Sequence, residues 1–111
     1  MLREIKGTKR LSRVLLFRVT GTGTAAINEG AYDATLTDNG TGDYTLTFDT
    51  PFARTPVCVV GVLTANIIHQ ISSVSASAVR VKLFQGTDGT TATDGIFHLV
   101  VYGFDAVAET D

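Results

Sequence analysis

The sequence predicts an all-β protein, a single antiparallel β-sandwich of jelly-roll or Greek-key-like form with an extended basic N-terminal arm. Three observations predict it. Short segments rich in Val, Ile, Thr, Phe and Tyr recur between clusters of Gly, Asn, Asp and Pro. In several of them apolar and polar residues alternate with a period of two, the pattern of a sheet with one wet face. No stretch carries a convincing helical stripe over helical length. At 111 residues the chain has the size of one domain with one core.

The elements follow in chain order. Residues 1–11 are a polar, basic lead-in broken by Gly7. Arg13 to Thr20 reads as a strand, because Val14, Leu16 and Arg18 alternate with Leu15, Phe17 and Val19. Helix is the alternative there, since Leu11, Val14 and Leu15 share helical spacing. After Gly21 to Ala26, Tyr32 to Thr37 and Asp43 to Asp49 form a hairpin around Asp38-Asn39-Gly40-Thr41-Gly42. Asn-Gly signals a tight turn because both residues tolerate positive φ. In the second strand Tyr44, Leu46 and Phe48 face a core, while Thr45, Thr47 and Asp49 face water.

Pro51 and Pro56 bracket a connection containing Phe52 and Arg54. Strands are then expected at Val57 to Thr64, Ile67 to Val74, Ala78 to Phe84 and Ile96 to Phe104, with a Gly/Thr/Asp loop from Gln85 to Gly95 before the last. The chain thus divides into residues 1–18, a basic arm and first strand entry, residues 19–106, the sandwich body, and residues 107–111, a short acidic tail.

Two strands are apolar on both faces, Val57 to Val62 and Ile96 to Phe104. An ordinary antiparallel strand has one wet side. In so small a sandwich the second face needs the arm or another subunit to cover it. Val60, Val62, His98, Val100 and Tyr102 are therefore expected on a subunit-facing surface. The composition agrees: 44% of residues are hydrophobic and 18% charged, an apolar surplus for one small core.

The net charge is −2, unevenly placed. Residues 1–18 hold Arg3, Lys6, Lys9, Arg10, Arg13 and Arg18 against Glu4 alone. The rest holds Arg54, Arg80 and Lys82 against the other ten of the eleven carboxylates. Nucleic acid is not the expected partner, because the acidic body would repel it and no aromatic interleaves the arm before Phe17. Arg3, Lys6, Lys9, Arg10 and Arg13 are instead expected to dock on an acidic protein surface, where opposite charge steers assembly.

Cys58 is the only cysteine, and its apolar neighbours suit a buried filler. Val14 to Phe17 is too short for a signal-peptide core and is closed by Arg18; no run spans a membrane, so a soluble chain is expected.

The sequence offers no constellation of catalytic residues, and no enzyme is expected. His69 and His98 sit between aliphatic neighbours without ligand spacing. Asp38, Asp43 and Asp49 fit the polar side of the hairpin, while Asp88 and Asp94 lie in a Gly/Thr loop lacking EF-hand spacing. Gly21-Thr22-Gly23 lacks the third glycine of a dinucleotide fingerprint. No cofactor and no metal are expected.

Four stretches carry a family resemblance: Asn39 to Asp49, Pro56 to Val60, Ser75 to Val81, and the ending Phe97-His-Leu-Val-Val-Tyr-Gly-Phe-Asp105. Together they resemble small β-rich virion proteins of tailed bacteriophages, over residues 30–106. The matching positions are turn glycines and core residues, so no catalytic residue carries over. The resemblance implies a capsid cement or decoration protein, commonly a homotrimer. Its partners would be the major capsid protein and copies of itself, within a virion assembled in the host cytoplasm. Its alternative is a tail fibre or receptor-binding module, in which Tyr32, Tyr44, Phe52 and Tyr102 would offer ring faces to carbohydrate.

Overall fold

The computed structural model describes residues 11–105. Among them are eight strands: β1 (Ser12–Thr20), β2 (Ala26–Glu29), β3 (Ala34–Gly40), β4 (Asp43–Phe48), β5 (Val57–Val62), β6 (Ile67–Val74), β7 (Ala78–Gln85) and β8 (Ile96–Phe104). They form two four-stranded sheets, ordered β2-β1-β8-β5 and β3-β4-β7-β6. Every pairing is antiparallel. The chain is a β-sandwich, as the alternation predicts. Pairing of β1 with β8 brings the first and last strands side by side in one sheet, and β4 pairs with β7 in the centre of the other.

The core lies between the sheets. Leu15, Phe17 and Val19 of β1, Val60 of β5, and Phe97, Leu99 and Val101 of β8 face Tyr44, Leu46 and Phe48 of β4 and Val79, Val81 and Leu83 of β7. Each full burial of such a side chain contributes roughly 1.5–3 kcal/mol, and these positions follow the period of two. Phe52 closes one end, meeting Phe48 edge-on at 5.3 Å between ring centroids. Gly103 is required beside it, since a Cβ there would come within 2.7 Å of the Phe52 ring.

The β3–β4 turn falls on Thr41 and Gly42, just after the Asn39-Gly40 pair. Positive φ falls on Gly40 and Gly42, not on Asn39, and the register shifts between Asp38 and Gly40. Side-chain bonding accounts for this: the Asn39 amide donates to Thr45 Oγ1 at 2.7 Å, and Asp38 Oδ1 accepts from the Gly40 N–H at 3.0 Å. Gly42 must stay bare, because a Cβ would lie 2.5 Å from the Thr93 carbonyl oxygen.

Three further features define the organisation of the chain. β1 is an interior strand of its sheet, so a boundary at residue 18 cuts through the body. β2 was not expected; it is four residues long and pairs only with the end of β1. The Gln85–Gly95 loop is tied by its own backbone, with Gln85 N–H donating to Thr91 at 2.8 Å and a bridge between Phe84 and Ala92. The positions Arg3, Lys6, Lys9 and Arg10, and the tail 107–111, lie outside the described residues.

Candidate assembly face

The two outer faces of the sandwich differ in chemistry. On the second sheet the outward rows carry Thr37, Thr45 and Arg80, then Asp43, Lys82 and Gln70. Arg80 grips Asp43 with two bonds, Nε to Oδ1 at 2.8 Å and a terminal nitrogen to Oδ2 at 2.6 Å. The Arg80 guanidinium holds the Asp43 carboxyl below its ordinary range, against a smaller opposing effect of burial. This face is mostly polar, with one apolar pair, Ile68 and Phe84, towards its β6 edge.

The outer face of the first sheet is not. Cross-strand register sets it out in rows: Val14, Tyr102 and Val57; then Leu16, Val100 and Val59; then Arg18, His98 and Gly61. The first two rows are wholly apolar and lie in solvent, with Leu16 62%, Val57 66% and Val59 62% exposed. Val14, Val100 and Tyr102 are exposed too. Alternation explains the placement, because the odd residues of β1 and β8 are spent on the core and leave the even ones outside. Contiguous exposed apolar faces are rare on proteins that stay monomeric, which makes this one the candidate site.

The third row borders a depression of about 270 Å³. Leu16, Arg18, Glu29, His98 and Val100 line it, with Phe17 and Leu99. Arg18 reaches Glu29 across it at 3.4 Å, an exposed pair of small energetic worth.

His98, Val100 and Tyr102 stand on this face as expected from the sequence. Val60 and Val62 do not. Val60 is buried between the sheets and Val62 is half-buried on the same side; Val57, Val59 and Gly61 are the outward residues of β5. Because β5 is apolar at nearly every position, its phase cannot be read from composition. The register with β8 decides it.

Arg13 is likewise not a free arm residue. Its guanidinium donates to the carbonyls of Thr50 at 2.9 Å and Pro51 at 3.2 Å and lies 4.1 Å from the Phe52 ring centroid. Asp105 Oδ1 approaches Nε at 2.8 Å but off the N–H axis, so that contact is an ion pair and leaves the N–H without an aligned hydrogen bond. The side chain ties the start of β1 to the β4–β5 connection and the end of β8.

The remaining polar candidates are engaged in the fold. Tyr44 is fully buried and donates to Asp94 Oδ1 at 2.5 Å, and Gly42 N–H donates to the same oxygen at 2.8 Å. Burial first, then Asp94, raises the Tyr44 phenol far above its ordinary range. Asp88 accepts from Thr91 Oγ1 and from the backbone N–H groups of Thr90 and Thr91, both at 3.0 Å; these bonds lower its pKa to about 2. Cys58 points inward, half-buried, and burial pushes its thiol up to about 11, so little reactive thiolate forms at neutral pH. His69 is on β6 and His98 on β8, in different sheets. No group of three or more His, Cys, Asp or Glu that could hold a metal occurs among the described residues. Of the four rings named for sugar contact, Tyr44 and Phe52 are buried; Tyr32 and Tyr102 are exposed.

Compared with models of protein families, with curated proteins and with solved structures, the chain matches none. The site therefore rests on its own geometry.

Proposed function

We propose that this chain is a non-enzymatic virion structural protein of a tailed bacteriophage, a capsid cement or decoration protein that binds the shell as an oligomer. The observation that carries the assembly role is the apolar outer face of the first sheet, opposite a second sheet whose outer face is mostly polar. An isolated sandwich gains nothing from exposing two rows of Val, Leu and Tyr to water, whereas a subunit gains their burial on assembly. The sequence resemblance to small virion proteins supplies the capsid setting. The basic positions Arg3, Lys6, Lys9 and Arg10 precede β1 and give the chain a charge opposite to its acidic body, suited to lacing onto neighbouring subunits.

Copy number tests this reading. In virus particles produced from the gene's source, quantitative mass spectrometry should find the chain near a one-to-one ratio with the major shell protein. A handful of copies per particle would move it to the tail and favour the receptor-binding role. Absence from particles would overturn both.

A further inference from the structure

We propose that the outer face of the first sheet receives a second copy of this chain, packed face to face about a two-fold axis through Leu16, Val100 and Val59. The inference rests on reading that face as an assembly contact and names its occupant.

Register gives the face an internal symmetry. The row Leu16–Val100–Val59 has the Val14–Tyr102–Val57 row on one side and the Arg18–His98–Gly61 row on the other, each two residues away. A two-fold axis parallel to the sheet, lying in the interface over the central row and running across the strands, brings each outer row of one copy over the opposite outer row of its partner. Tyr102 is the largest exposed side chain of these rows, and its counterpart position is His98. At His98 lies the depression of about 270 Å³ bordered by Leu16, Arg18, Glu29 and Val100. Knob and hollow thus belong to the same chain, at equal distances from one axis. That is the self-complementarity an isologous interface requires. Arg18 beside the hollow would also meet the face of an incoming tyrosine ring, a favourable cation–π geometry.

The available area sets the strength. Three strands about 4.8 Å apart, over nine residues of about 3.4 Å each, give a flat footprint on the order of 400 Å² per copy. Specific interfaces below about 1,200 Å² in total are the weak, transient ones. The pair should therefore form with rising concentration and be reinforced when copies are held close on a larger assembly. A pleated sheet face is also the surface that packs best on another such face, roughly 10 Å apart.

Analytical ultracentrifugation of the full chain from micromolar to millimolar concentration tests the proposal. A monomer–dimer equilibrium is expected. Tyr102→Ala should weaken it on the order of 30-fold, as loss of an aromatic anchor does. Val100→Glu should abolish it by setting two charges against each other on the axis, with far-UV circular dichroism and melting unchanged. Val100→Cys should form a disulfide-linked dimer on mild oxidation, because that residue meets its own copy; Val14→Cys, which meets Arg18, should not. A chain monomeric throughout, a trimer, or a dimer indifferent to these substitutions would overturn the two-fold pairing. If the chain is monomeric yet Val100→Glu is lost from virus particles, a foreign subunit covers the face, and only this inference fails. If Val100→Glu still enters particles normally, the assembly reading of the face fails with it.

Discussion

Val59 on β5 and Val100 on β8 lie directly opposite each other, and both point into solvent, 62% and 38% exposed. The next residue along β5, Val60, pairs with Leu99 and is buried. One step along the chain thus separates the exposed apolar face from the core. Val60→Ala should destabilise the fold by about 1–3 kcal/mol through lost burial and a residual cavity. Val59→Ser should stay within about 0.5 kcal/mol of the unsubstituted chain, as exposed positions do. Urea denaturation of the two variants checks this; equal losses would place β5 in the wrong phase.

Tyr44 and Asp94 form a part-buried polar contact that joins β4 to the segment just before β8. Tyr44→Phe removes the donor and leaves Asp94 Oδ1 with the Gly42 N–H alone. The expected cost is about 1–3 kcal/mol. The pH dependence has a definite sign. The Tyr44 phenol is raised in the folded chain, so the unfolded chain loses that proton first on the alkaline side. Its contribution is fully present below about pH 10, the usual tyrosine value, and falls above it. Melting temperature against pH should drop more gently above pH 10 in Tyr44→Phe than in the unsubstituted chain.

Arg13 acts as a clamp through the shape of its guanidinium, which reaches two carbonyls while lying over Phe52. A lysine keeps the charge near Asp105 but loses the planar fork and the stacking. Arg13→Lys should therefore recover less than half of the stability lost in Arg13→Ala, itself expected to cost about 1–2 kcal/mol. Full recovery by lysine would mean that the ion pair alone matters.

Asp88 caps its own turn, and its acidity is the readable sign. Its carboxyl is depressed to about 2, so its support for the Gln85–Gly95 loop is complete above the ordinary aspartate range and lost as pH falls through about 2. Amide exchange at Thr90 and Thr91, the residues whose N–H groups it accepts, should accelerate over that acid window. Asp88→Asn should show the faster exchange at neutral pH.

Much of the fold was legible because burial imposes a period of two. Tyr44, Leu46 and Phe48 alternate with threonines, and the structure buries the first three. Where both faces are apolar the signal disappears. Val57 to Val62 reads as a strand of either phase, which is why Val60 and Val62 looked equally fit for the surface. β2 has one inward apolar residue, Ile27, too little to register as a pattern. Arg13 looked like an arm cation because its partners Thr50, Pro51 and Asp105 are distant in sequence. Asn39-Gly40 marks the hairpin, but β3 continues through both residues and the turn falls on Thr41 and Gly42, with the Asn39 side chain bonded to Thr45. β8 is apolar on both faces as well, and only its polar residue, His98, marks the outward row that it shares with Val100 and Tyr102.

Assembly through the outer face of the first sheet requires that face to be covered in the assembled state. Hydroxyl-radical footprinting answers this, comparing dilute chain with purified virus particles and reading modification at Leu16, Val59 and Tyr102. Strong protection of all three in particles, with core residues unmodified in both samples, is the predicted result. Equal modification of the three in particles and in dilute solution would contradict the account.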